Sequence, residues 1–295
     1  MLDEQTTDRT FEMHRGRLFG LAYRMLGSRA EAEDVVQDVF LRWHQSDRAA
    51  IRTPEAWLVT TATRLAIDRL RALKTERDAY SGPWLPEPLM SEQQPPPDRH
   101  VDLASDLSVA FLVLLERLAP EERAAFLLHD VFDCDYAEIA RTLDKNEAAC
   151  RQLVHRARER VKRDRKRFDV PEEAKANLLR RFIAALEARD ERALFALFSP
   201  DVTWTADGGG RVPASPRPLV GSELIVKLVL GLHQRFYRDR GNYHLAAVNG
   251  ETGLVFRLDG KLISTLSIET DGERIRSVYV VVNPDKLRED PPPMM

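Results

Sequence analysis

The sequence predicts a multidomain protein: two all-α helical domains joined by a Pro-rich linker, followed by an α+β domain. Three observations carry that reading. Apolar residues recur at helical spacing over residues 8–78 and again over 106–168. Between them, residues 79–105 lose this periodicity and hold Pro83, Pro86, Pro88 and the run Pro95-Pro-Pro97. Prolines this dense exclude helix and central strand and leave an extended linker. Over residues 173–290 helical patterns give way to short alternating or β-branched runs.

The elements follow in order. Phe11, Leu18, Leu21, Ala22 and Met25 form one helical stripe, and Gly27 stops it. Ser28 is placed to cap the next helix, with Glu31 at capping-box spacing. That helix turns Ala32, Val35, Val36, Val39, Phe40 and Trp43 inward. A third helix starts at Pro54, with Thr53 before it as the expected cap, and runs to Lys74. Its apolar residues are Trp57, Leu58, Thr61, Leu65, Ile67 and Leu70. Trp57 reads as core there, a base-stacking platform being the alternative. Helical periodicity returns at Leu107 and continues to Arg167, broken near Pro120, Asp133 and Asp144. A junction at Val170-Pro171 opens the last domain. Leu178, Leu179, Phe182, Ile183 and Leu186 mark one helix, and another starts near Gly221. Strand patterns fall near residues 202–204, 243–248, 253–258, 261–268 and 274–281, which predicts an antiparallel sheet.

Composition narrows the function classes. No window approaches the roughly 18 consecutive apolar residues of a membrane span, and the acidic start Met1-Leu-Asp-Glu-Gln is no secretory signal. Cys134 and Cys150 make no disulfide framework and have no zinc-ligand spacing around them. The expectation is a cytoplasmic protein with no membrane contact, no metal and no cofactor. The net charge of −3 hides segregation: residues 147–168 hold nine Lys/Arg against three acids. A basic block in an otherwise acidic chain suits a nucleic-acid face, or else a solvated helix.

That block sits in a helix-turn-helix pattern. Tyr136-Ala-Glu-Ile-Ala140, then Leu143, Asp144-Lys-Asn146 and Glu147-Ala-Ala-Cys-Arg151 have its spacing. Ile139, Leu143, Leu153 and Val154 supply the packing between helices, and Ala140 is small where they cross. Asn146 stands at the second helix's N-cap position. Asp144 takes the turn position usually held by glycine. In such a motif Glu147, Arg151, Gln152 and His155 would face base edges, while Arg156, Arg158 and Arg160 would lean toward phosphates. The alternative is a helical hairpin with a basic rim.

With these elements laid out, the chain resembles the extracytoplasmic-function sigma factors, in particular those with a C-terminal SnoaL-like (NTF2-like) domain. The first signature is Gly27-Ser-Arg-Ala-Glu-Ala-Glu-Asp34-Val-Val-Gln37-Asp38-Val-Phe40, similar to the helix that grips core polymerase. The second is Pro54-Glu-Ala-Trp57-Leu through Ala66-Ile-Asp68-Arg69-Leu-Arg71, similar to the segment reading the downstream promoter element. The third is the helix-turn-helix, similar to the module reading the upstream element. Tyr80-Ser-Gly-Pro-Trp84-Leu-Pro-Glu-Pro88, Asp207-Gly-Gly-Gly210 and Asn283-Pro-Asp-Lys-Leu287 point to the subgroup.

The resemblance implies core RNA polymerase and promoter DNA as partners, and physical chemistry agrees with it. Asp34 and Asp38 share a helix face beside Gln37, and such an acidic face can steer onto a basic partner. Asp68, Arg69, Arg71 and Lys74 form a polar, largely basic helix end suited to phosphates. The resemblance places capture of unstacked bases in the loop over residues 45–52. For the tail it implies regulation in cis through Trp84, Leu85, Pro86, Asp207, Gly208, Gly209, Asn283, Pro284, Asp285 and Lys286. It also leaves room for a small-molecule ligand in the tail's cavity.

Two other readings compete. A one-component regulator would pair a helix-turn-helix with a sensing domain and never join polymerase, leaving the acidic 34–38 face without a task. A SnoaL-type enzyme would use Asp207, His233 or His244, whose spacing makes no nucleophile–base pair and no metal set.

Overall fold

Residues 2–91, 107–164, 170–237 and 241–287 are described by the structure, a computed structural model. Arg165, Lys166 and Arg167 of the basic block, Pro95-Pro-Pro97 of the linker and residues 288–290 lie outside them. The described chain divides into two compact units, one of residues 2–78 and 112–164, the other of residues 79–91, 107–111, 170–237 and 241–287.

Helices build the first unit: α1 (Leu2–Leu26), α2 (Arg29–Gln45), α3 (Pro54–Ala72), α4 (Lys74–Asp78), the part of α5 (Val109–Leu115) from Leu112 on, α6 (Pro120–Asp130), α7 (Tyr136–Leu143) and α8 (Glu147–Asp164). Gly27 ends α1 with φ +63°, a left-handed stop natural to glycine. Ser28 caps α2 by accepting from the Glu31 N–H at 3.4 Å, as its position predicts. Thr53 precedes α3 but makes no side-chain cap bond, so Pro54 alone starts that helix. Lys74 belongs to the short α4 rather than to α3. Leu21, Met25, Val39, Leu58, Ala62 and Leu70 fill the space between α1, α2 and α3. Trp43 is buried there, and the half-buried Trp57 ring lies 5.5 Å from it, which fits the core reading of Trp57.

Arginines tie the N-terminal helices to the later ones. Arg17 donates to the Phe132 carbonyl at 2.9 Å and pairs with Glu55. Arg64 of α3 donates to the Thr142 and Arg141 carbonyls at 2.8 and 2.7 Å, closing the C-terminal end of α7. Arg123, 1 % exposed, donates to Glu116 at 2.7 Å and to the Met25 carbonyl at the end of α1. Arg77 converges on the same Glu116 carboxylate and on the Leu26 carbonyl. Burial holds the Arg77 guanidinium below its ordinary pKa.

The second unit is α+β. It comprises β1 (Met90–Ser91), α9 (Glu172–Ala188), α10 (Glu191–Leu197), β2 (Phe198–Asp207), β3 (Leu219–Val220), α11 (Ser222–Leu232), β4 (Gly241–Val248), β5 (Glu251–Leu258), β6 (Lys261–Thr270) and β7 (Ile275–Val281). The strands form a seven-stranded sheet in the order β1-β4-β5-β6-β7-β2-β3. It is mixed rather than antiparallel throughout, because β2 runs parallel to β7, Trp204 opposite Val278 and Asp207 opposite Val281. Alternation and turn signals mark the β4–β5–β6–β7 meander but cannot reveal where a distant strand joins it.

One sheet face packs on α9, α10 and α11 through Leu178, Phe182, Leu186, Trp204, Ile225 and Val229. Buried Glu172 accepts the Thr252 N–H at 2.6 Å, and Lys175 bridges Glu172 and Glu251 at 2.9 and 2.7 Å. Burial alone would lower the Lys175 pKa, but Glu251 and Glu172 raise it above its ordinary value. Among the described residues no helix is long and apolar enough to cross a membrane.

The Arg123–Glu116 pair yields a test. Removing one partner of a buried ion pair leaves the other charge uncompensated. Glu116→Ala should therefore lower stability by about 3 kcal/mol, read as a reduced urea midpoint. A midpoint equal to wild type would contradict the shared-carboxylate tie.

Candidate functional site

Local rules set the helix-turn-helix. Asp135 and Glu138 make a reciprocal capping box at the start of α7, with bonds of 2.8 and 3.1 Å. Asp144 turns the chain in the left-handed region at φ 53°, the role usually left to glycine. Asn146 caps α8 by accepting from the Ala149 N–H at 2.8 Å. Ile139, Cys150, Leu153, Val154 and Ala157 are buried, which leaves Glu147, Arg151, Gln152 and His155 exposed. Arg151 pairs with Glu147 at 3.2 Å and lies over the Tyr136 ring at 5.3 Å, so its guanidinium is steadied from two sides.

The flank of α8 departs from expectation. Arg156 and Arg160 both bind Glu122, at 3.0 and 2.5 Å, and Arg158 forks onto Asp130 at 3.0 and 3.1 Å. These arginines lean back onto α6 rather than outward, because Glu122 and Asp130 face α8 two turns apart. About half of each Arg156 and Arg158 side chain stays exposed, at 52 % and 48 %. Three of the nine basic residues counted in the block are thus already paired with acids of α6.

In the N-terminal helices Asp34, Gln37 and Asp38 are exposed on α2. With Asp68, Arg69 and Ala72 of α3 they line a cleft of about 480 Å³. Arg69 is held by Glu31 through two nitrogens and stands 4.0 Å from Asp34. The Glu31 carboxylate that capping-box spacing assigned to the start of α2 is thereby engaged by α3. Arg71 is bound by Glu121 at 2.8 Å and lies 3.5 Å from Asp68, while Lys74 is exposed.

The tail gathers the remaining candidates around one carboxylate. Asp207, at the end of β2, is 0 % exposed. It accepts from the Tyr80 hydroxyl at 2.6 Å, the Leu85 N–H at 2.8 Å, the Gly209 N–H at 3.0 Å and Lys286 Nζ at 2.7 Å. Lys286 also donates to the Leu85 carbonyl at 2.6 Å, and it sits 4.1 Å from the Trp84 ring and 4.9 Å from the Tyr80 ring. Burial and the Asp207 carboxylate push the Tyr80 phenol above its ordinary pKa, so it remains a donor. Asn283 donates to the Tyr80 oxygen at 2.9 Å. Asp285 pairs with Arg211 at 3.2 Å, Pro284 is exposed and Pro86 is buried.

Gly208 and Gly209 have steric reasons to be glycine. A Cβ on Gly208 would lie 2.2 Å from the Val212 carbonyl oxygen, and one on Gly209 would lie 2.2 Å from Asn283 Nδ2. Gly209 also has φ +59°. Farther along the linker Leu89 exchanges hydrogen bonds with Asn249, 3.1 Å to its side chain and 2.7 Å from its N–H. Met90 and Ser91 then pair with Val248 and Ala247 of β4. Residues 80–91 therefore form a strap on the tail, not a loose connection. Sequence reasoning missed Tyr80 and Asn249 as contacts, although Tyr80 opens the quoted motif and Asn249-Gly250 reads as a turn.

The catalytic alternatives find little support in this geometry. Asp207 is committed to four donors. His233 is buried with Nδ1 3.4 Å from the Tyr243 hydroxyl, and His244 is exposed on β4.

Comparison with known proteins agrees with the order of these modules. The family description "Sigma-70 region 2" matches residues 10–76, and "Sigma-70, region 4" matches residues 108–161. The chain is 38 % identical over 293 residues to the ECF RNA polymerase sigma factor SigJ of Mycobacterium tuberculosis (strain ATCC 25618 / H37Rv), covering 95 % of this chain and 93 % of that one. It is 29 % identical to the probable ECF RNA polymerase sigma factor SigI of M. tuberculosis (strain CDC 1551 / Oshkosh), covering 93 % and 92 %. The crystal structure of M. tuberculosis SigJ superposes with a TM-score of 0.74 at 34 % identity, over 94 % of this chain and 97 % of that one.

The tight packing at Gly209 is testable. Gly209→Ala adds left-handed strain and a clash with Asn283, and should cost about 2 kcal/mol. Urea unfolding should show the loss, and limited proteolysis should show faster cleavage within residues 79–91. An unchanged midpoint with an uncut strap would refute this packing.

Proposed function

Because the chain belongs to the extracytoplasmic-function family of RNA polymerase sigma factors, we propose that its exposed helical faces divide promoter recognition between them and that the tail tunes initiation in cis through the strap. Sigma factors bind core RNA polymerase and promoter DNA, and two matched sigma regions in the expected order support that activity for this chain.

Asp34, Gln37 and Asp38 are assigned to core polymerase, whose basic surface an exposed acidic face can orient. Asp68, Arg69, Arg71 and Lys74 are assigned to the downstream promoter element, Arg71 after exchanging Glu121 for phosphate. Asn146 sets the start of the recognition helix, with its neighbouring backbone near phosphate. Glu147, Arg151, Gln152 and His155 are assigned to base edges of the upstream element. Arg156 and Arg158 reach phosphate only with the N–H groups left over from Glu122 and Asp130. The protein should accordingly show a shallower dependence of affinity on salt than its count of basic residues suggests.

The observation that carries cis tuning is the buried Asp207 hub. Only Ala79 separates the end of α4 at Asp78 from the first strap contact at Tyr80. Docking therefore makes the segment that follows the N-terminal helices part of the tail, and initiation is tuned by whether that segment stays seated. Regulation rather than turnover is assigned to the tail, since Asp207 has no lone pair to spare for acid–base chemistry. The reading calls for no small-molecule ligand.

Run-off transcription with core polymerase tests the assignment. Asp207→Asn and Trp84→Ala, which weaken docking, should raise output about fivefold or more, the range of ordinary coupling energies. Asp34→Ala with Asp38→Ala should abolish capture by core polymerase while leaving the fold intact. Unchanged output from both Asp207→Asn and Trp84→Ala, with strap cleavage increased, would overturn cis tuning. Failure of the wild-type chain to initiate with core polymerase on any template would overturn the division of promoter recognition.

A further inference from the structure

The strap is held as a bound peptide is held. Its main chain is read at Leu85, whose N–H goes to Asp207 and whose carbonyl accepts from Lys286, at 2.8 and 2.6 Å. It is read again at Leu89, which exchanges N–H and carbonyl with Asn249 at 3.1 and 2.7 Å. Met90 and Ser91 complete the docking by adding an edge strand to β4. Two side chains are recognised as well: Tyr80 by Asp207 and Asn283, and Trp84 by the Lys286 ammonium against its ring. Pro83, Pro86 and Pro88 pre-set an extended backbone, which lowers the entropy lost on docking.

Strand addition with main-chain bonds and seated side chains is a general mode of peptide capture. None of these contacts requires strap and tail to share a chain. The features the seat engages are thus two aromatics four residues apart, Tyr80 and Trp84, ahead of the extended Leu85-Pro-Glu-Pro88 run. Its Asp207–Lys286 pair presents one acceptor and one donor to the N–H and carbonyl of Leu85, a complement that suits an extended backbone.

We propose that the tail is a peptide-binding module whose resident ligand is its own linker, and that a partner protein presenting such a proline-rich segment takes the same seat in trans and displaces the strap. The binding stands on the geometry alone; its effect on transcription rests on the cis-tuning reading above. Tethering gives the strap an effective concentration on the order of millimolar, so the partner segment must outbid it through added contacts or local abundance.

The test uses full-length protein and a fluorescent peptide with the sequence of residues 79–91. Two strap variants weaken the resident ligand without touching the tail: Tyr80→Ala with Trp84→Ala, and Leu85→Pro, which deletes the N–H that Asp207 accepts. Circular dichroism and urea unfolding confirm that each variant is folded. Fluorescence anisotropy should show the peptide binding each strap variant roughly tenfold or more tighter than it binds wild type. Adding Asp207→Asn should remove that gain, and a scrambled peptide should not bind.

Equal affinity for wild type and both strap variants would overturn the proposal, as would tight binding that survives Asp207→Asn. A mass that doubles with concentration in the strap variants, with no peptide binding, would give the seat to a second copy's strap and overturn it too. Run-off output measured with unlabelled peptide separates the two readings. Peptide capture with unchanged output upholds the module and overturns cis tuning, whereas capture with raised output upholds both.

Discussion

The Asp207 carboxylate is shut off from water and depends on four donors drawn from separate stretches of chain: Tyr80 and Leu85 of the strap, Gly209 of the following turn, and Lys286 beyond the last strand. A buried charge is tolerated only when it is paired and hydrogen-bonded. The Asp207 backbone is constrained as well, since its carbonyl accepts the Val282 and Asn283 N–H groups at 2.9 and 3.0 Å. The end of β2, the segment after β7 and the strap are thus fixed together. If the strap leaves, Asp207 loses two donors and Lys286 loses a carbonyl and two rings at once. The contacts that seat the strap are interdependent for that reason.

A related economy of charge runs through the helical unit. Glu116 serves Arg77 and Arg123, and Glu122 serves Arg156 and Arg160 while also accepting the Ala119 N–H at 3.3 Å to cap α6. The pairs of the half-exposed Arg156, Arg158 and Arg160 add little stability individually, unlike the buried Arg123–Glu116 pair. What they do is set orientation. Arg156 and Arg158 become struts between α8 and α6, and the exposed edge of α8 is left to Glu147, Arg151, Gln152 and His155. Support of the helix thereby falls to residues other than those on its exposed edge.

Features set by neighbours in sequence were legible. The Ser28 and Asn146 caps, the left-handed Asp144 and the inward stripes of α1 and α2 follow from spacing and local chemistry. Features set by distant partners were not. The parallel pairing of β2 with β7 joins Trp204 to Val278, and no local pattern announces it. Glu122 reaches Arg160 across 38 positions, so a count of basic residues could not show that their charge was already matched. Dense prolines correctly excluded helix and central strand from residues 79–91, yet the same stiffness makes that segment a good ligand, and Met90 and Ser91 join the sheet at its edge, where proline-rich chain is tolerated. The motif residues Trp84, Asp207, Asn283 and Lys286 were each visible in sequence. That they meet at one buried carboxylate was not.

Native-state amide hydrogen exchange at Leu85 and Leu89, in the free protein and bound to core polymerase, tests the central claim most directly. Seated against Asp207 and Asn249, both amides should be strongly protected in free protein, and protection should collapse by orders of magnitude when polymerase binding draws the linker off the tail. Amides that exchange freely before polymerase is added, or that stay equally protected in an initiating complex, would contradict the account.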